Sequence, residues 1–171
     1  YLLKHFKPLT LTEVISFAKS GKQLPEYSFL LTFDDGLQEV ASHIAPMLLR
    51  KGVPAAFFIN RDFLDNKQLF YKFKLSLITE ALYTRKYTAA VLAAAGELLP
   101  GRPVNAGGII GAVMKITYTN RHLADSIGSL LDLSFEDYLA ANKPFMETPQ
   151  VQQLVSQGFA IGGHSGDHPY Y

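Results

Sequence analysis

Cysteine is absent from all 171 residues. That excludes disulfide staples and thiolate metal sites, so any metal must be held by histidine and carboxylate. The absence does not fix a compartment. No apolar stretch reaches the roughly 18 residues that a membrane span needs, and no secretory signal is visible at the front. Net charge is scarce as well. A balance of +1, with no long basic run, offers no strong field to nucleic acid or to an anionic membrane, and nucleic acid is not expected as a partner. Apolar residues are plentiful, at 48% against 18% charged. This is the profile of a soluble globular protein of one domain with a substantial core.

Against that background one stretch stands out. Thr32-Phe33-Asp34-Asp35-Gly36 follows the apolar run Phe29-Leu30-Leu31, so two adjacent carboxylates fall where a buried strand gives way to a loop. Neighbouring carboxylates repel and desolvate poorly unless a cation, a proton or hydrogen-bond donors neutralise them. Asp-Asp-Gly is also good turn chemistry, and taken alone the stretch reads first as a turn. Near the other end, His164-Ser165-Gly166-Asp167-His168 follows a second apolar run. Two histidines four apart have ordinary metal-ligand spacing. With one carboxylate they make a three-ligand set that leaves a position open for water.

Together the two motifs resemble those of the polysaccharide deacetylases, the carbohydrate esterase family 4 or NodB-homology domain. The first family motif is Thr-Phe-Asp-Asp-Gly and the second is His-Ser/Thr-x-x-His. Both occur here without mismatch, in the family's order, each after an expected strand, and a Gly-rich approach at Gly162-Gly163 extends the likeness.

The rest of the chain reads as alternating elements. Tyr1 to Phe6 reads as the end of a helix begun upstream, as if the start were cut. Thr10 and Glu13 fit a capping box, and Val14, Ile15, Phe17 and Ala18 give the following helix an apolar face that Gly21 ends. Tyr27 to Phe33 is expected as one strand covered on both faces. A helix follows from Leu37 to Lys51, restarting at Pro46 and closed by Gly52, and then a second buried strand over 53–60. Residues 61–147 read as a helical insertion. Asp65-Asn66 is expected to cap a helix with Phe70, Phe73, Leu77 and Ala81 on one face. Thr88 caps an Ala-rich helix, 104–119 is a third helix weakened by glycines, and Ser134 opens a short one. Thr148-Pro149 starts the last helix, and Phe159-Ala160-Ile161 is the third strand.

The resemblance implies an α/β fold, part of a distorted (β/α) barrel of the polysaccharide deacetylase type with a helical insertion between the first two motifs. Residues 1–60 would form the N-terminal part of the barrel, 61–147 the insertion, and 148–171 the continuation with the His motif. It further implies that Asp35, His164 and His168 bind a divalent metal, zinc foremost, although the same donors suit cobalt, nickel or manganese. Asp34 maps onto the family's general base. Ser165 is expected to brace the loop, and Asp167 to be a solvated loop residue. His5, His43 and His122 match no motif and are expected at the surface, while Phe63, Phe70, Tyr71 and Phe73 read as core more than as a sugar-stacking face.

The family's later motifs would lie after the His pair, and the chain stops at Tyr171. The resemblance therefore covers about half of the chain and half of the family domain. The simplest expectation is a piece of a longer protein; the other is a short protein completed by a homo-oligomer, since half a barrel would expose a sheet edge. The implied activity is hydrolysis of acetyl groups from N-acetylated or O-acetylated sugars of a polysaccharide or glycoconjugate, in a bacterial cell-envelope or secreted setting. The alternatives are a non-catalytic glycan-binding or assembly module that retains the metal site, and a metallohydrolase acting on something other than a sugar.

Overall fold

The computed structural model describes residues 1–169; Tyr170 and Tyr171, which carry no assigned role, lie outside the described residues. In chain order the elements are α1 (Leu2–His5), β1 (Lys7–Pro8), α2 (Leu11–Ser20), β2 (Ser28–Phe29), β3 (Thr32–Phe33), α3 (Ala45–Lys51), β4 (Ala56–Asn60), α4 (Tyr71–Thr84), α5 (Ala89–Glu97), α6 (Ala106–Val113), α7 (Leu123–Leu130), α8 (Phe135–Asn142), α9 (Thr148–Ser156) and β5 (Ala160–Ser165). They group into two compact units. One is formed by Tyr1–Lys67 with Lys143–His168, the other is built on Gln68–Asn142.

The first unit is mixed α/β with parallel sheets. Strands β3, β4 and β5 form one sheet with β4 in the centre, and β1 pairs with β2 in another. The run 27–33, expected as one strand, is two short ones, β2 and β3. Its backbone serves both sheets: the carbonyls of Tyr27 and Phe29 accept from Lys7 and Leu9, and that of Leu31 accepts from Ala56. No closed barrel forms among the described residues.

Strand β4 reads Ala-Phe-Phe-Ile-Asn and is buried at every position but Phe58, as expected of a central strand covered on both faces. Phe57 lies parallel to Phe33 and edge-on to Phe159, with ring centroids 5.3 Å away in each case. Val40, Ala45, Leu48 and Leu154 complete this core. The helix before β4 does not restart at Pro46 as expected: a π-helical stretch, Val40–Ile44, runs without a break into α3, and Pro46 sits just past that junction. Gly52 ends it in the left-handed conformation at φ 63°. The capping box of Thr10 and Glu13 forms as expected.

Asp65 does not cap α4. Its carboxylate accepts from the N–H and the hydroxyl of Thr148, at 2.6 and 2.8 Å, and so holds the first turn of α9. Asn66 exchanges two hydrogen bonds with the backbone of Phe145. Phe63, fully buried, stacks on Phe145 at 5.1 Å.

The second unit is helical. The buried face of α4 is Tyr71, Leu75, Ile78, Ala81 and Leu82, displaced from the expected stripe of Phe73 and Leu77, which are half-buried. Thr88 caps α5 through the Val91 N–H, and Asn105 caps α6 through the Gly108 N–H. Helix α7 had no sequence forecast. Its buried residues are Ala124, Ile127 and Gly128, and the Phe135 ring lies so close over Gly128 that a Cβ there would sit 2.6 Å from it.

Candidate metal centre

Three parallel strands deliver the two sequence motifs to one place. Strand β3 ends at Phe33 and is followed by Asp34, Asp35 and Gly36; β5 carries His164 and Ser165 at its end, and His168 follows one turn later. Strand β4 lies between them, in register with Thr32 and Phe33 on one side and with Ala160 to Ser165 on the other. Parallel strands put all three C-terminal ends on one edge, the place where open α/β sheets hold their chemistry.

The first loop has a demanding backbone. Asp35 and Gly36 both take positive φ, 69° and 71°. A Cβ at Gly36 would lie 3.0 Å from Ile59 Cγ2, so the position suits glycine for space and for conformation. The loop is tied down from outside: the Gly36 carbonyl accepts from Met146 N–H and the Pro144 carbonyl from Gln38 N–H, both at 2.8 Å. The second loop is fixed by an extension of the β4–β5 pairing, in which Ser165 and Gly166 carbonyls accept from the N–H groups of Arg61 and Asp62. Gly162 is needed beneath the Phe58 ring, where a Cβ would lie 2.7 Å from ring carbons.

The result is a cluster of Asp35, His164 and His168. One ligand atom from each lies within 4.8 Å of the other two. Asp35 Oδ1 is 3.4 Å from His168 Nε2 and 3.7 Å from His164 Nε2. The imidazole rings are 5.0 Å apart and tilted by 54°. An ion with bonds of about 2.0–2.1 Å to nitrogen and oxygen needs its tetrahedral ligands about 3.4 Å apart. The donor set is therefore compatible with a divalent metal. The three side chains remain 21–31% exposed, so one side is open to water and to a substrate. Asp34, the residue before, is exposed and stands outside this three-residue cluster.

Behind the cluster is a residue that the sequence reading passed over. Asn60, wholly buried at the end of β4, donates from Nδ2 to Asp35 Oδ1 at 2.8 Å and accepts at Oδ1 from the Ser165 hydroxyl. Ser165 Oγ in turn accepts from the His168 N–H at 2.8 Å, which is the bracing role expected of that hydroxyl. The available signal for Asn60 was a polar residue closing an otherwise apolar central strand. Asp167 is half-buried in the loop. Beside it, the hydrogen bond from Arg61 holds the Asp62 carboxyl below its ordinary range. His5, His43 and His122 are exposed, as expected.

A parallel α/β unit with a carboxylate and two imidazoles converging at its strand ends defines a protein with a candidate metal centre. Residues 21–96 match the model of the polysaccharide deacetylase family, so over this segment the chain is similar to that family. The matched segment contains the Asp34-Asp35 motif and ends well before the His motif. Among solved structures, the chain is similar to the BpsB deacetylase domain from Bordetella bronchiseptica, at 17% identity and a TM-score of 0.44, over 95% of this chain and 39% of that one. The chain thus spans well under half of that domain's length. No curated protein matches it.

Proposed function

We propose that this chain supplies the metal-binding part of a hydrolase that removes acetyl groups from N-acetylated sugars of a polysaccharide or glycoconjugate, with O-acetyl esters as a variant of the same chemistry. The observation that carries the reading is the convergence of Asp35, His164 and His168 within 4.8 Å, beside a segment that matches the deacetylase family.

Asp35, His164 and His168 are the ligands in this reading, with zinc the preferred ion. A divalent ion there supplies Lewis acidity toward an acyl carbonyl and makes a water easier to deprotonate. Asp34 is the general base. Its exposed carboxylate takes a proton from the attacking water, so that the water oxygen bonds to the acetyl carbon and the carbon–nitrogen bond breaks. Acetate leaves, and the freed amine takes up a proton. In this proposal the helical unit, 68–142, is an insertion into the deacetylase domain, and the half-open cluster is the floor of the glycan-binding cleft.

The test is acetate release from acetylated glucosamine oligomers by the protein and by its Asp34→Asn variant. The account expects release that Asp34→Asn lowers by at least about 100-fold, the scale of general-base contributions, with metal content unchanged. Glycan binding without release would favour the non-catalytic module, and equal turnover in the variant would remove Asp34 from its role.

A further inference from the structure

Asn60 is the buried polar side chain of the molecule among the described residues, at 0% exposure. A buried amide costs free energy unless its donors and its acceptor are both used. Here each end is directed at a different motif. The amide can face only one way. The Asp35 carboxylate only accepts, so the NH2 group must point to it, as the 2.8 Å contact from Nδ2 has it. Ser165 Oγ already accepts from the His168 N–H, so its own proton is free to go to Asn60 Oδ1. The result is one continuous path: His168 backbone, Ser165 hydroxyl, Asn60 amide, Asp35 carboxylate.

The two ends of that path share a second property. Asp35 and His168 both have positive φ, 69° and 63°, a conformation that costs an L-residue energy and persists only when its surroundings impose it. Asn60 bonds the Asp35 side chain directly and is joined to the His168 backbone through Ser165. No other residue type fits the role well. Leucine has the size without the polar groups, aspartate would set a second carboxylate against Asp35, and glutamine would overfill a fully buried position.

We infer that Asn60 is a positioning residue for the metal centre: it fixes the Asp35 carboxylate and the His168 loop relative to one another, so that the ligand set is assembled by the protein before an ion enters. This rests on the metal-binding reading above. Outer-shell partners of this kind typically govern metal affinity by about 10–100-fold.

The experiment measures Co2+ and Zn2+ affinity by chelator competition, together with the visible spectrum of the Co2+ form and the melting temperature of the metal-free protein. The proteins are wild type, Asn60→Leu, Ser165→Ala, Ser165→Thr, the double variant Asn60→Leu/Ser165→Ala, and Asp35→Ala. Asn60→Leu and Ser165→Ala are expected to bind about 10–100-fold more weakly, with a shifted Co2+ spectrum. Ser165→Thr, which keeps the hydroxyl, should retain affinity, and the double variant should bind no more weakly than Asn60→Leu, because the path is already cut. Wild-type affinity and spectrum in Asn60→Leu would overturn the inference. If that variant does not fold, wild-type affinity in Ser165→Ala overturns it by itself. Metal binding that Asp35→Ala leaves intact would instead overturn the metal-site reading, an outcome distinct from loss in Asp35→Ala with no change in Asn60→Leu.

Discussion

His168 Nε2 lies 3.4 Å from Asp35 Oδ1, although the two residues sit near opposite ends of the sequence. The parallel order β3-β4-β5 makes this possible: it brings the exit of the first strand and the exit of the last to one edge, with β4 as the spacer. Burial of Phe57 between Phe33 and Phe159 holds those strands at fixed separation. The site therefore depends on core packing as much as on its own residues.

Phe57→Leu would remove ring contacts to both neighbours and leave part of the space empty. Large-to-small changes in a core cost from about 1 to 5 kcal/mol according to the volume lost, and this variant is expected near 2 kcal/mol. Urea unfolding of the metal-free protein measures it. Metal affinity should fall with it, because the β3 exit is no longer held against β4.

Two glycine substitutions in helices are expected to have opposite signs. Helix propensity alone favours Gly→Ala by about 1 kcal/mol. At Gly111 nothing lies within 4 Å of a new Cβ, so Gly111→Ala should stabilise by up to that amount. At Gly96 the Cβ would fall on the carbonyl oxygen of Pro103, and backbone cannot step aside as a side chain can. Overpacking costs about 1–3 kcal/mol, so Gly96→Ala should destabilise. Thermal melts of the two variants beside wild type decide both.

Asp65 links acid sensitivity to the start of α9. The hydrogen bonds from Thr148 hold its carboxyl below the ordinary value of 3.8. A group whose pKa is depressed on folding stabilises the fold above its unfolded pKa, and that contribution is lost as pH falls through the folded value. Asp65→Ala should lower the melting temperature at pH 7, and the gap from wild type should narrow below pH 3.8. A gap that stays constant with pH would show that the carboxylate charge is not what holds Thr148.

Much of the site was legible because its signals are local. The motif at Asp34-Asp35 and the His164/His168 pair announce themselves by residue type and spacing, and Gly36 and Gly162 mark close backbone approaches. Gly52, Thr10 and Thr88 act within one turn of themselves, and they stop or start helices where the sequence places them. What the sequence concealed is long-range. Asp65 caps a helix 83 positions away, which no local rule distinguishes from a cap on the helix that follows it. The run 27–33 looks like one strand because its apolar pattern does not record that its hydrogen bonds change partner. Helix α7 is interrupted in its sequence pattern by Gly128, whose place in the helix is explained only by the Phe135 ring that needs the space. Asn60 was passed over because a lone asparagine says nothing until its two partners, from both motifs, are beside it.

Loss of metal should be separable from loss of fold. The three candidate ligands are partly exposed and lie at strand ends, while the core beneath them is apolar. His164→Ala is expected to melt within a few degrees of the metal-free wild type; Asp35→Ala, which leaves the buried Asn60 NH2 without its acceptor, should melt lower; in both, ion-dependent stabilisation should disappear. For the wild type, an ion at 100 times its dissociation constant should add about 2.7 kcal/mol, which calorimetry with and without Zn2+ reads directly.

The most direct test is an anomalous diffraction map, at the zinc edge, of crystals grown with one equivalent of Zn2+. The account predicts one strong peak about 2.0–2.2 Å from an oxygen of Asp35 and a nitrogen of each of His164 and His168, and its absence from Asp35→Ala crystals. A map with no peak among these three side chains, or with the ion held elsewhere on the chain, would contradict it.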